Sequence, residues 1–147
     1  TTGYCMGGPI VMRTAAAVPD RIGAGASFHG GGLVTKETSS PHLLVPTMKA
    51  QFLFAIAEND DQREPDSKNV LKDTYAKAKL AAEIEVYAGA AHGWCPPDSA
   101  VYNEAQAEKA WREDTGCCPW APRLGMSAPK RLLRRSTIRS NFPFLSS

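Results

Sequence analysis

The 147-residue sequence has no long apolar segment and no cysteine cluster, and it has no acidic residue after Asp114. Without an apolar run of about 18 residues it predicts no membrane-spanning helix. No basic segment followed by an apolar stretch opens the chain, so no secretory signal is expected. The 4 cysteines, two of them adjacent, fit neither a zinc site nor a disulfide framework. We therefore expect no metal and a reducing, cytoplasmic setting.

Charge is divided unevenly along the chain. Residues 1–114 carry 11 basic and 15 acidic side chains, a net charge of −4, whereas residues 115–147 carry 6 basic side chains and no acid. The pI of about 8.4 thus reflects the C-terminal tail and not a basic surface on the body. The Arg131–Arg135 cluster has only two adjacent arginines and no interleaved aromatic residues, so we expect no nucleic-acid or membrane partner.

The body shows the pattern of an α/β domain. The composition, 43% hydrophobic and 22% charged, is typical of globular proteins. Strands are predicted over residues 1–5, 22–28, 51–57 and 82–87, and helices over 6–18, 65–80 and 99–113, with a loop over 36–46. Alternating strands and helices predict a parallel sheet with helices on its faces. The apolar run 51–57 indicates a strand that is covered on both faces.

Both ends of the chain depart from a complete domain of this class. A strand that ends at Cys5 needs about five residues, yet only four precede it. A doubly wound sheet also normally has further strands before the turn that carries its nucleophile. The body, residues 1–113, is therefore interpreted as the C-terminal part of a domain whose N-terminal half is missing. Residues 114–147 are basic, rich in proline and serine, and without periodicity, so we expect a tail that is disordered or not native.

A nucleophile turn is indicated at residues 3–8, GYCMGG, between a strand end and a helix start. G-x-C-x-G-G is the nucleophile-elbow pattern with sulfur in place of oxygen, and residues two positions from the nucleophile must be small there. A helix N-terminus favours the thiolate of Cys5. The backbone N–H of Met6 is a candidate oxyanion donor. The alternative is a buried structural cysteine in a glycine-rich turn.

A base and its orienting acid follow later strands. Asp60 and Asp61 come after the 51–57 strand, and His92 comes after the 82–87 strand, within GAAHGW at residues 89–94. Loops past the carboxyl ends of parallel strands share one edge of the sheet, where active sites of open α/β sheets lie. A lone loop histidine is usually structural, but the position, the chain order and the elbow together favour a Cys5, Asp60, His92 site.

These motifs resemble the dienelactone hydrolase family. The resemblance rests on residues 3–8, 52–65 and 87–94 and extends over residues 1 to 113. It implies an α/β-hydrolase fold without cofactor that opens carboxylic esters or lactones through a Cys-His-Asp triad. By resemblance Cys5 is the nucleophile, His92 the base and Asp60 the orienting acid. Asp61 is the alternate acid, because the family's downstream proline fits better if Asp61 is counted.

The departures from the family concern its substrate. The family's second oxyanion donor, and a glutamate that modulates the cysteine, come from the N-terminal half. The arginine that binds the dienelactone carboxylate, four residues after the histidine, is replaced by Pro96. The expected substrate is therefore a small ester or lactone other than dienelactone. The competing hypothesis is an inert truncated fragment or a non-enzymatic interaction module.

Four further residues, His29, His42, Trp94 and Cys95, have lesser expected roles. HGGG at residues 29–32 resembles an esterase oxyanion motif, but it follows the nucleophile where that motif precedes it. We interpret His29 as part of a strand-end turn near the rim of the site. His42 is expected to be structural, Trp94 to wall the pocket or to pack, and Cys95 to act as a small hydrophobe.

Overall fold

The computed structural model of the chain describes residues 1–116. Its strands are β1 (Thr2–Tyr4), β2 (Ala24–Phe28), β3 (Gln51–Ala57) and β4 (Ala82–Tyr87). They form one sheet in the order β1-β2-β3-β4, and every neighbouring pair is parallel. The predicted fold class, a parallel sheet with flanking helices, is confirmed, and β3 and β4 have the predicted bounds.

Three helical segments differ from prediction by more than two residues at an end. They are α1 (Gly7–Ala17), a 3-10 helix (Pro41–Thr47), α2 (Glu58–Arg63), α3 (Ser67–Ala78) and α4 (Glu104–Gly116). The 3-10 helix occupies part of the predicted loop, and α2 was not predicted. The α4 helix begins later than residue 99 because the side chain of Asn103 accepts a hydrogen bond from the N–H of Gln106, as an N-cap does.

Helices cover both faces of the sheet. On one face α1, α3 and the 3-10 helix enclose a core that includes Val11, Phe54 and Leu71. On the other face Leu53 and Trp94 pack in a second core, which reaches α4. Leu53 and Phe54 are adjacent on β3 and fully buried on opposite faces. The apolar run of this strand follows from that double burial.

The tail predicted after residue 113 is only partly described. Helix α4 continues to Gly116, and the remaining residues, 117–147, lie outside the described part of the chain. Within residues 1–116, no helix has the length and apolar character needed to cross a membrane.

The junction between β1 and α1 depends on two of its three glycines. A Cβ at Gly3 would lie 2.4 Å from the Gly7 carbonyl oxygen, and one at Gly8 would lie 2.4 Å from Ser27 Oγ and 2.9 Å from the Gly30 Cα. A Cβ at Gly7 would meet nothing within 4 Å. The expectation that both residues two positions from Cys5 must be small is therefore wrong for Gly7. Gly8 meets the steric demand instead, where α1 approaches the turn after β2.

We expect Gly3→Ala and Gly7→Ala to differ strongly. Gly3→Ala forces a methyl group onto backbone atoms and should lower the free energy of unfolding by about 1–3 kcal/mol or more. Gly7→Ala, at the first turn of α1, should change it by less than about 1 kcal/mol. Urea denaturation of both variants measures the difference. Equal losses would show that the elbow is not packed as described.

Candidate active site

Residues with reactive side chains follow all four strands at one edge of the sheet. Cys5 follows β1, His29 follows β2, Asp60 lies three residues beyond β3, and His92 lies in the turn after β4. Because the strands are parallel, their carboxyl ends lie at the same edge. Residues as far apart in sequence as Cys5 and His92 are thereby brought into contact.

Cys5 lies on the sharp turn that the sequence predicts. Its backbone is left-handed, with φ of 52°, a conformation that costs a non-glycine residue about 1–2 kcal/mol. The turn is held by the Cys5 N–H, which donates to the Phe28 carbonyl oxygen at 3.0 Å, and by the Gly8 N–H, which donates to the Cys5 carbonyl oxygen at 3.1 Å. The thiol is exposed. Met6 lies directly before α1 as its N-cap residue, where backbone N–H groups lack helical partners.

Cys5, His92 and Asp60 form a continuous chain of contacts. His92 Nε2 lies 3.2 Å from Cys5 Sγ, and His92 Nδ1 lies 2.7 Å from Asp60 Oδ2. An ionised carboxylate only accepts hydrogen bonds, so Nδ1 carries the ring proton and donates a hydrogen bond to Asp60. The lone pair of Nε2 then faces the thiol. The structure brings all three residues named from the sequence together.

The neighbouring acid, Asp61, makes a different contact. Its carboxylate pairs with Lys68 Nζ at 2.6 and 2.7 Å. Asp60 is 84% buried and is further approached by Arg63 Nη2, at 3.7 Å from Oδ1. Both acids lie in α2 and not in the loop that was expected. Both acids lie in the first turn of this helix, together with Glu58.

The start of α2 also holds the turn that carries His92. Asn59 Oδ1 accepts a hydrogen bond from the His92 backbone N–H at 2.9 Å. Glu58 accepts one from the Gly89 N–H at 3.1 Å, and its own N–H donates to the Ala90 carbonyl oxygen at 2.9 Å. Sequence reasoning missed Glu58 and Asn59. The signal was present as a run of polar residues directly after the buried strand β3.

His29 is buried beside His92 and not at the rim. It is 4% exposed, and its ring makes T-shaped contacts with His92, at 4.7 Å between centroids, and with Trp94, at 5.2 Å. Neither ring nitrogen has a hydrogen-bond partner among the described residues. Burial, followed by the charge of a protonated His92, lowers the pKa of His29 to about 4. His29 is therefore neutral at ordinary pH.

The other residues given lesser roles are accounted for by packing. His42 Nδ1 lies 2.6 Å from Ser40 Oγ, a structural contact within the turn that opens the 3-10 helix. Trp94 is fully buried and stacks on Tyr87. Cys95 is half-buried against the core on the α4 face, and burial raises the pKa of its thiol to about 12. A thiol in that environment stays protonated and unreactive.

A small cavity lies beside His92, with both apolar and charged side chains in its lining. It has a volume of about 120 Å³ and is lined in part by Asp60, Asp61, Arg63, Glu64 and Lys68. The two cations of this lining pair with carboxylates of the same lining, Lys68 with Asp61 and Arg63 with Asp60. Three acids against two paired bases do not favour an anionic ligand.

The comparisons with known proteins agree on one family. The model of the dienelactone hydrolase family matches residues 1–116. A candidate carboxymethylenebutenolidase of Aquifex aeolicus is 26% identical over 111 residues, which cover 75% of this chain and 46% of that protein.

Solved structures share the fold. A candidate dienelactone hydrolase from Klebsiella pneumoniae superposes with a TM-score of 0.67 and 27% identity, over 76% of this chain and 48% of that one. A dienelactone hydrolase-like promiscuous phosphotriesterase from metagenomic libraries gives a TM-score of 0.63 at 17% identity, over 79% of this chain and 48% of that one. The chain thus spans about half the length of these relatives. With a family match over most of its length, this chain belongs to the dienelactone hydrolase family.

Proposed function

We propose that this chain carries the catalytic residues of a hydrolase of carboxylic esters or lactones, with Cys5 as nucleophile, His92 as base and Asp60 as orienting acid. The observation that supports it is the contact chain from Cys5 Sγ to His92 Nε2, at 3.2 Å, and from His92 Nδ1 to Asp60 Oδ2, at 2.7 Å. A nucleophile, a base and an orienting group within hydrogen-bond reach are the arrangement that covalent catalysis requires.

Acylation begins with proton transfer from the thiol of Cys5 to His92 Nε2. The sulfur attacks the carbonyl carbon, and the negative charge moves to the carbonyl oxygen, where the Met6 backbone N–H donates to it. The tetrahedral intermediate collapses as the carbon–oxygen bond to the leaving alcohol breaks. That alkoxide takes the proton back from His92, and the acyl group is left on Cys5 as a thioester.

Deacylation repeats these steps with water. His92 Nε2 removes a proton from water, the oxygen attacks the thioester carbon, and the carbon–sulfur bond breaks. The sulfur recovers the proton from His92 and the carboxylic acid leaves. Asp60 holds the proton on Nδ1 in both halves, which keeps Nε2 free to act and stabilises the imidazolium that forms.

The substrate class follows from the charges near His92. Pro96 stands where carboxylate-binding members of the family would place an arginine. The cations that line the adjacent cavity are already paired with Asp60 and Asp61. An uncharged ester or lactone fits this surrounding better than an anionic one, because an additional carboxylate would face net negative charge.

Acylation of the 147-residue chain by p-nitrophenyl acetate tests the nucleophile. We expect an acetyl adduct on Cys5, located by mass spectrometry of proteolytic peptides, and no adduct there in Cys5→Ala. Cys95→Ala is the matched control, and it should leave the Cys5 adduct unchanged because the half-buried Cys95 thiol stays protonated. An adduct on Cys95 in place of Cys5 would contradict the assignment.

The absence of any adduct on Cys5 would favour the competing hypothesis of a non-catalytic chain. That hypothesis is motivated by the length of the chain, which spans 46% and 48% of two relatives. A circular dichroism melt of the same sample distinguishes the two versions of the competing hypothesis, an interaction module and a fragment that does not fold alone. A cooperative transition without acylation indicates an interaction module, and no transition indicates a fragment that does not fold alone.

The isosteric variants Asp60→Asn and Asp61→Asn identify the orienting acid. Asp60→Asn presents a neutral group to His92 Nδ1 and should slow acylation of Cys5 by roughly 100-fold or more. Asp61→Asn removes only the charge that pairs with Lys68 and should slow it less than about threefold. Stopped-flow release of p-nitrophenol measures both rates. The reverse order would assign the role to Asp61.

A further inference from the structure

A second histidine takes part in this site without touching its reacting atoms. His29 and the nucleophile occupy matching positions after adjacent strands, because Tyr4 pairs with Phe28 and each is followed by a residue in the left-handed region. The φ angles are 52° at Cys5 and 40° at His29. Strained residues side by side at the ends of adjacent strands are characteristic of functional sites.

Nothing around His29 uses the hydrogen-bonding capacity of its two ring nitrogens. The residue is 4% exposed and both ring nitrogens are buried, yet neither nitrogen has a hydrogen-bond partner among residues 1–116. A buried polar atom without a hydrogen bond costs stability. The ring instead makes aromatic contacts, of which those with His92 and Trp94 are the shortest. It meets the ring of His92 at an interplanar angle of 63° and that of Trp94 at 65°.

We propose that His29 is a positioning residue, whose uncharged ring, fixed against Trp94, holds the His92 ring in line between Asp60 and Cys5. His92 is held at its two ring nitrogens by Asp60 and Cys5 and at its backbone N–H by Asn59, but none of these contacts packs against the body of the ring. The ring of His29, 4.7 Å away between centroids, supplies that packing and opposes tilting of the His92 ring. It also keeps water away from the part of His92 that it covers.

The charges around His29 require that it stay neutral. The titratable groups nearest to it are His92 after β4, Asp60 on α2, Tyr4 at the end of β1 and Cys5, the residue after Tyr4. When His92 accepts the thiol proton it becomes positive, and a charged His29 at 4.7 Å would oppose that step. Burial in contact with Trp94 prevents this charge from forming at ordinary pH.

Alkylation of Cys5 by iodoacetamide tests the positioning of His92 without requiring hydrolysis. Because the role of His29 rests on the proposed function, ester turnover is measured separately on the same samples. His29→Ala should slow alkylation of Cys5 about tenfold near neutral pH, because His92 is then less well positioned. It should also move the acid limb of the pH–rate profile to higher pH, because water then reaches His92. His29→Phe restores a flat ring and should recover the rate and the profile. His42→Ala, which also removes a histidine ring, should leave both unchanged.

Each outcome decides the proposal. Wild-type values in His29→Ala would overturn it, and so would an equal loss in His29→Phe, because packing by the ring would then not be the cause. If His29→Ala does not fold, His29→Leu replaces it, with similar volume but no flat ring, and a loss of rate is again expected. If turnover is absent in the wild type while alkylation responds as described, the hydrolase function fails and the positioning role stands.

The pH dependence of stability checks that the buried ring is neutral. The pKa of His29 is lowered from 6.5 to about 4, so between these values the unfolded chain binds a proton that the folded chain does not. Acid therefore favours unfolding across this window and has no such effect above it. His29→Phe lacks this titration, and its Tm should exceed that of the wild type by an amount that grows as the pH falls through the window. Parallel curves would overturn the proposal, since His29 would then be open to solvent.

Discussion

The parallel pairing of four strands is the constraint on which the site depends. Backbone hydrogen bonds fix β1 to β4 in register, and this places the four strand ends at one edge. Each reactive side chain lies one to five residues beyond its strand, so the flexible part of each connection is short. A site assembled in this way needs no direct sequence proximity, because its geometry comes from the sheet.

The turn that carries His92 is held by at least as many contacts as link the three side chains of the site to one another. The first residues of α2 bind the turn of His92 at three points, through Glu58 and Asn59. The same short helix carries Asp60, so the proposed orienting acid and the backbone of the proposed base, His92, are held by one element. A base whose main chain and side chain are both anchored loses little entropy when it reacts.

Much of the fold could be predicted because its signals are local. The apolar run 51–57, the alternating strand 82–87 and the helical spacing after Cys5 each reflect burial of one segment against its immediate layer. Helix α2 was not predicted because it has no buried residue, and its sequence therefore has no apolar periodicity that would indicate a helix. Gly7 illustrates the converse: the elbow pattern names it, but in this chain Gly8 is the glycine that packs against the turn after β2.

The residue types and their order along the chain were enough to name Cys5, Asp60 and His92 and to recognise the family, because the elbow and the positions after each strand are local features. Which of two adjacent acids faces His92 was left open, since Asp60 and Asp61 differ only in the direction they leave a helix that the sequence did not reveal. The burial of His29 was likewise decided by tertiary packing, because a ring is enclosed only when Trp94 and His92, distant in sequence, close around it.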